Sequence, residues 1–136
     1  MNLKDLLVEE KTVVIDYPGC EGFQLTLAYL GKETLNKLRK NSTVTTINKK
    51  TRKPEEEVDP DLFSKFYIQS VIKGWTGLKY KYLVEMLPVN IPETTDMEDE
   101  LAYSEENAQV LLKNSADFDT WVAEIVGDLQ NFTKNK

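Results

Sequence analysis

The sequence contains no histidine and a single cysteine, Cys20. These absences exclude an intramolecular disulfide, the common zinc sites and the nucleophile pairs that depend on histidine. Cys20 has no activating base beside it in the sequence, and the run 19–22 (GCEG) lacks the spacing of a phosphate-binding loop. We therefore expect no enzymatic activity, no bound metal and no cofactor.

Long apolar runs are also missing. No stretch approaches the roughly 20 apolar residues that a membrane-spanning helix needs. The first residues include Asp5, Glu9 and Glu10, where a signal peptide has an uninterrupted apolar segment. The sequence predicts a soluble cytoplasmic protein without membrane contact, and its 136 residues with 40% hydrophobic content suffice for one domain with its own core.

Charge is distributed unevenly around the formal net value of −6. Between Glu85 and Leu112 the chain has acidic residues but no lysine or arginine. Within this region, residues 89–103 combine acids and threonines with few apolar residues, a composition typical of a solvated connector. We predict an acidic hinge or loop at 89–103, between an N-terminal hairpin and helical core (1–88) and a C-terminal helical pair (104–136), all within one domain.

The first third of the chain favours strands. Residues 12–29 hold two β-branched or alternating runs around the turn residues 18–22, which predicts a β-hairpin that must pack on the helices that follow. Residues 42–47 fit either a helix or a strand. Residues 48–59, a basic block followed by an acidic block, predict a solvated loop, and a pI near 4.8 has the wrong sign for binding nucleic acid.

Helix signals dominate the rest. Asp59-Pro60 is a strong helix start, and we expect that helix to end at Gly74, with Trp75 folding back into the core and a short helix preceding Pro88. Ser104 is the expected cap of the next helix. The fold class is therefore predicted as α+β, mainly α, with an N-terminal β-hairpin packed on a small helical bundle and a C-terminal helical arm.

The C-terminal arm is predicted to start at Asn114 or Ser115 and to run as one helix to Phe132. Its apolar stripe comprises Phe118, Trp121, Val122, Ile125, Val126, Leu129 and Phe132. A stripe of this length must be covered, either by the protein's own core or by a partner, and the sequence leaves both possibilities open. The candidate partner-binding residues are Phe118, Trp121, Ile125 and Leu129.

Three segments together resemble the tail assembly chaperones of long-tailed, siphophage-like bacteriophages. They are residues 22–40 (GFQLTLAYLGKETLNKLRK), 48–79 (NKKTRKPEEEVDPDLFSKFYIQSVIKGWTGLK) and 103–132 (YSEENAQVLLKNSADFDTWVAEIVGDLQNF). The most characteristic pieces are the IKGWTGL turn at 72–78 and the YSEENA segment with its following leucine pair. The resemblance extends over most of the chain, from about residue 22 to residue 132.

This resemblance implies a non-enzymatic role in virion assembly within the host cell cytoplasm. Such chaperones bind the tape measure protein, keep it soluble, promote tail tube polymerisation around it, self-associate, and are absent from the mature virion. Many also exist in a longer form, made by ribosomal frameshifting, that engages the tail tube protein. Thr133-Lys134-Asn135 could be encoded by a slippery run of adenines, which would place such a site at the end of this chain.

A second function class fits the charge pattern. A small phage or bacterial regulator could use the acidic segment to mimic nucleic acid and inhibit a host DNA-binding or nuclease protein. The two hypotheses differ in what neutralising the acids between Glu93 and Glu106 would do, since only the mimic depends on them.

Overall fold

The computed structural model describes residues 1–133 and has the predicted mixed α+β fold. The helices are α1 (Leu3–Leu6), α2 (Lys32–Asn41), α3 (Pro60–Val71), α4 (Tyr80–Met86), α5 (Glu105–Asn114), α6 (Ala116–Val126) and α7 (Gln130–Thr133). The strands are β1 (Thr12–Asp16), β2 (Gln24–Ala28), β3 (Thr43–Ile47), β4 (Pro54–Val58) and β5 (Ile72–Thr76). No helix among these is long and apolar enough to cross a membrane.

The predicted N-terminal hairpin is confirmed, and it belongs to a larger sheet. β1 and β2 pair antiparallel, and β2 pairs on its other side with β5, giving the order β1-β2-β5. The expected helix end at Gly74 is wrong, because α3 stops at Val71 and the next five residues form β5. Ile72 and Trp75 are residue types that favour a strand. Pairing with β5 also satisfies the backbone amides and carbonyls of β2 that do not bond to β1.

The predicted solvated loop at 48–59 is also wrong in part. The β-branched residues 43–47 form β3, which pairs with β4 in an antiparallel hairpin whose basic turn occupies 48–53. The sequence pattern does not indicate β4, because this charged strand is exposed along its whole length and therefore lacks an apolar alternation. The α2–β3–β4 segment contributes little to burial, with Leu38 and Ser42 as its buried residues.

Two capping predictions are confirmed. The Asp59 carboxylate accepts hydrogen bonds from the amides of Asp61 and Leu62 at 2.9 and 3.2 Å, and Pro60 occupies the first turn of α3. Ser104 Oγ accepts from the amide of Asn107 at 3.0 Å and begins α5. These caps satisfy amides that a helix start otherwise leaves unpaired, and so they fix where both helices begin.

One hydrophobic core joins the sheet and the helices. The strands β2 and β5 and the helices α3, α4, α5 and α6 all contribute to it, with α3 packing on α5 and α5 on α6. The core residues with almost no exposed surface are Phe23, Leu25, Leu27, Ile68, Val71, Ile72, Leu78, Ala108, Leu111, Phe118, Val122 and Val126. Trp75 is buried as predicted, and its indole N–H donates to the Leu101 carbonyl at 3.0 Å. Residues from 1–88 and from 104–133 therefore share a single core.

Two turns distant in sequence touch backbone to backbone at one end of the sheet. Gly77 has φ +78°, a conformation that favours glycine. A Cβ added to Gly77 would lie 1.9 Å from the carbonyl oxygen of Gly22. Gly22 precedes β2 and Gly77 follows β5, so this contact sets how closely the ends of the two strands approach.

Candidate interaction surface

Helix α6 packs on α5 and shares the core with the sheet. Ser115 caps it by accepting a hydrogen bond from the Phe118 amide at 3.2 Å, so the start predicted at Asn114 or Ser115 is confirmed at Ser115. Phe118, Val122 and Val126, spaced four residues apart, turn into the core and have at most 1% exposed surface. Phe118 thus offers a partner no surface, and its placement among the partner-binding residues is corrected to a core role.

The predicted continuous arm is broken at Gly127. α6 ends at Val126, and α7 begins at Gln130, whose amide donates to the Asp128 carboxylate at 2.9 Å. Glycine weakens a helix interior, and aspartate at 128 starts a new helix, so two local preferences produce the break. The stripe therefore changes direction, and Phe132 folds back to pack on Tyr29 with ring centroids 5.8 Å apart.

The break leaves an apolar strip on the outer side of α6. Trp121 and Ile125 are half-buried against the core, whereas Leu129, in the connection to α7, is 46% exposed. We call Trp121, Ile125 and Leu129 the α6 strip. The structure keeps these three predicted partner-binding residues at the surface.

The α6 strip runs beside strand β1. Tyr17, which follows β1, packs edge-on against Trp121 with ring centroids 4.9 Å apart, and burial raises the pKa of the Tyr17 hydroxyl. At the other end, the Leu30 amide donates to the Val126 carbonyl at 2.9 Å, and α7 contacts β1. Val13 and Ile15 of β1 are half-buried on the same core. An outer strand and a helix thus border one apolar surface, a combination that single-sequence periodicity cannot reveal.

The acidic segment is a loop, as predicted, but it is attached to the domain rather than hanging free. The amides of Tyr80, Lys81 and Leu101 bond to the carbonyls of Asp99, Met97 and Leu78. Glu98 lies 3.0 Å from the Lys79 ammonium and 2.7 Å from that of Lys81. Lys79 and Lys81 precede the acidic region, which begins at Glu85, and they reach Glu98 only in the folded structure. The charge pattern along the sequence therefore does not reveal these ion pairs.

These contacts perturb the two charged groups that make them. The hydrogen bond from Lys81, followed by that from Lys79, lowers the pKa of the Glu98 carboxyl. The same bond raises the pKa of the Lys81 ammonium. Both groups are solvent-exposed, so their mutual stabilisation is modest and weakens as salt is added.

Side chains that could bind a metal ion or act as a nucleophile are sparse in the part of the chain that the structure describes. Residues 1–133 contain no cluster of three or more histidine, cysteine, aspartate or glutamate side chains able to hold a metal ion. Cys20 is buried, and burial, followed by the charge of Glu85, raises the pKa of its thiol. A raised pKa disfavours the thiolate that a nucleophilic cysteine needs.

Comparison with known proteins identifies the lineage. A family model described as the YdaY prophage protein matches residues 21–136, which is most of the chain. Searches of curated proteins and of solved structures find no match. The chain therefore belongs to the YdaY prophage protein family and is a phage-derived protein.

Proposed function

We propose that this prophage protein is a tail assembly chaperone that binds the tape measure protein, keeps it soluble and promotes tail tube polymerisation around it. The observation that carries the proposal is the α6 strip, a partly exposed apolar surface that packs against the core. The phage lineage and the resemblance of residues 22–132 to tail assembly chaperones support the same function. In this role the protein acts without catalysis or cofactor in the host cytoplasm and leaves before the virion is complete.

The strip suits a long helical partner. An amphipathic helix presents apolar side chains at intervals of three and four residues, and Trp121, Ile125 and Leu129 offer it apolar contacts spaced four residues apart in the sequence. Trp121 is the expected main contributor, because a tryptophan with a desolvated face often carries much of the binding energy. Covering such stripes on the tape measure protein would prevent their association with each other.

The tail tube protein is the second proposed partner, reached through a longer, frameshifted form. The proposed slippery codons specify Thr133-Lys134-Asn135, and Lys134–Lys136 lie outside the described residues. Nucleotide sequence decides this point, since ACG for Thr133 or AAG for Lys134 would remove the run of adenines. Nucleic acid and membranes are not among the proposed partners.

Replacing Leu129 with aspartate is expected to weaken tape measure binding about tenfold or more, because the substitution places a charge in an apolar contact. Leu129 is exposed, so the fold should be retained. Binding is measured by titrating purified chaperone into tape measure protein, and chaperone activity by the soluble yield of tape measure protein on co-expression. The matched control is Val110→Asp on α5, which is 50% exposed and lies outside the strip. Equal losses in both variants, or in neither, would contradict the assignment.

Neutralising the acidic loop separates the chaperone from a nucleic-acid mimic. The mimic remains the alternative because Glu93, Asp99 and Glu106 are exposed and no ion pair engages them within residues 1–133. The triple variant Glu93→Gln, Asp99→Asn, Glu106→Gln is expected to bind tape measure protein as the wild type does. Capture of a host DNA-binding protein that this variant loses, with no tape measure binding by either form, would favour the mimic.

A further inference from the structure

Strand β1 has an unpaired outer edge. The Tyr29 amide donates to the Lys11 carbonyl, and the Tyr17 amide donates to the Phe23 carbonyl. Hydrogen-bonded pairs alternate along an antiparallel ladder, so the odd residues of β1 bond to β2. The amides and carbonyls of Thr12, Val14 and Asp16 therefore point away from β2, and no backbone bond within residues 1–133 engages them.

Of the other outer strands in the described part of the chain, β4 and β5 carry features that oppose pairing, whereas β3 (Thr43–Ile47) also has an unpaired outer edge but belongs to a two-stranded sheet that lies outside the core. β4 begins with Pro54 and carries three successive glutamates at 55–57. β5 has a register irregularity against β2, and the Tyr103 hydroxyl donates to its Ile72 carbonyl at 3.0 Å. β1, by contrast, is regular over five residues and contains no proline, and its only charge is on Asp16 at its end.

We propose that β1 pairs antiparallel with β1 of a second copy, with Val14 on the twofold axis. Val14 then faces Val14 of the other copy as a hydrogen-bonded pair. Thr12 of each copy lies opposite Asp16 of the other, where the threonine hydroxyl can donate to the carboxylate. The ladder stops beyond Tyr17, because Pro18 has no amide hydrogen to offer.

The same register matches side chains on the core side of the sheet. Val13 of each copy lies opposite Ile15 of the other, so half-buried apolar side chains gain apolar neighbours. No residue meets a like charge, which makes the strand complementary to itself and selects a second copy as the occupant. Since the axis is perpendicular to the sheet, both α6 strips lie on one face of the dimer and could engage one long partner together.

Charge substitutions at Val14 test the twofold geometry. Val14 is 62% exposed, so Val14→Lys and Val14→Asp should both fold, as far-UV circular dichroism can verify. Wild-type protein is expected to sediment as a dimer, and each variant alone as a monomer, because like charges meet on the axis. An equal mixture of the two variants should restore the dimer. A monomeric wild type, a dimeric single variant, or a mixture that stays monomeric would overturn the proposal.

A cross-link provides the second measurement. Opposed residues of a hydrogen-bonded pair have Cα atoms about 5.5 Å apart, within the range of a disulfide. Val14→Cys should oxidise to a covalent dimer, whereas Val58→Cys, an exposed strand position on the glutamate-rich β4, should not. Cross-linking of both variants alike, or of neither, would refute the register. These experiments use the purified protein alone, so their failure is distinguishable from a failure of tape measure binding.

Discussion

Replacing Phe118 with alanine is expected to lower the free energy of unfolding by about 3–5 kcal/mol, the usual cost of emptying a large buried site. Phe118 has no exposed surface, and its ring lies 5.7 Å from that of Tyr17 and 6.4 Å from that of Trp121. Urea denaturation of the two proteins gives the difference directly. A loss of this size would be a large fraction of the stability of a small domain.

The matched control for Phe118 is Val110→Ala, on an exposed side of α5, which should change stability by less than about 0.5 kcal/mol. Phe118→Ala tests the corrected role of this residue, because a partner contact and a core residue respond differently. Unchanged stability together with lost tape measure binding would restore Phe118 to the binding surface.

Replacing Gly77 with alanine is expected to destabilise the fold by more than about 3 kcal/mol. The positive φ alone costs about 1–2 kcal/mol for a residue with a Cβ. The new methyl group would also overlap the Gly22 carbonyl oxygen, 1.9 Å away, so the ends of β2 and β5 would have to separate. Thermal and urea unfolding measure the combined effect.

Gly19→Ala isolates the second contribution. Gly19 has φ +84°, and a Cβ there would meet nothing within 4 Å, so only the conformational cost applies. We expect Gly19→Ala to lose about 1–2 kcal/mol and Gly77→Ala distinctly more. Equal losses of stability in the two variants would show that the backbone at Gly22 and Gly77 can move apart without lowering the free energy of unfolding.

Helix-capping residues and short alternating patterns are sufficient to predict the helices and strands that contain them. Asp59, Ser104 and Ser115 start helices where the sequence places them, because a cap depends only on the next three residues. The hairpin of β1 and β2 was likewise readable from its alternation. The core position of Trp75 is likewise predictable from the sequence, although the strand that carries it is not.

The elements that the sequence does not predict share a physical cause, because each depends on pairing with a segment elsewhere in the chain. β5 follows a helix without a break and becomes a strand because β2 lies beside it. β4 has no buried face, so only its pairing with β3 defines it. Within the proposed interaction surface, the sequence pattern indicates Trp121, Ile125 and Leu129, whereas the burial of Phe118 and the open edge of β1 depend on packing and pairing that the pattern does not show.

The basic turn at 48–53 is the tip of the β3–β4 hairpin, which lies in the segment that connects the neighbouring strands β2 and β5. Pairing β2 with β5 closes a loop of residues 29–71, and the entropy of closing a loop rises only slowly with its length. Doubling such a loop costs about 0.6 kcal/mol, provided that the added residues disturb no packing. With few buried residues between 32 and 59, this hairpin is where the fold can best accept a longer turn, an epitope tag or a fluorescent label.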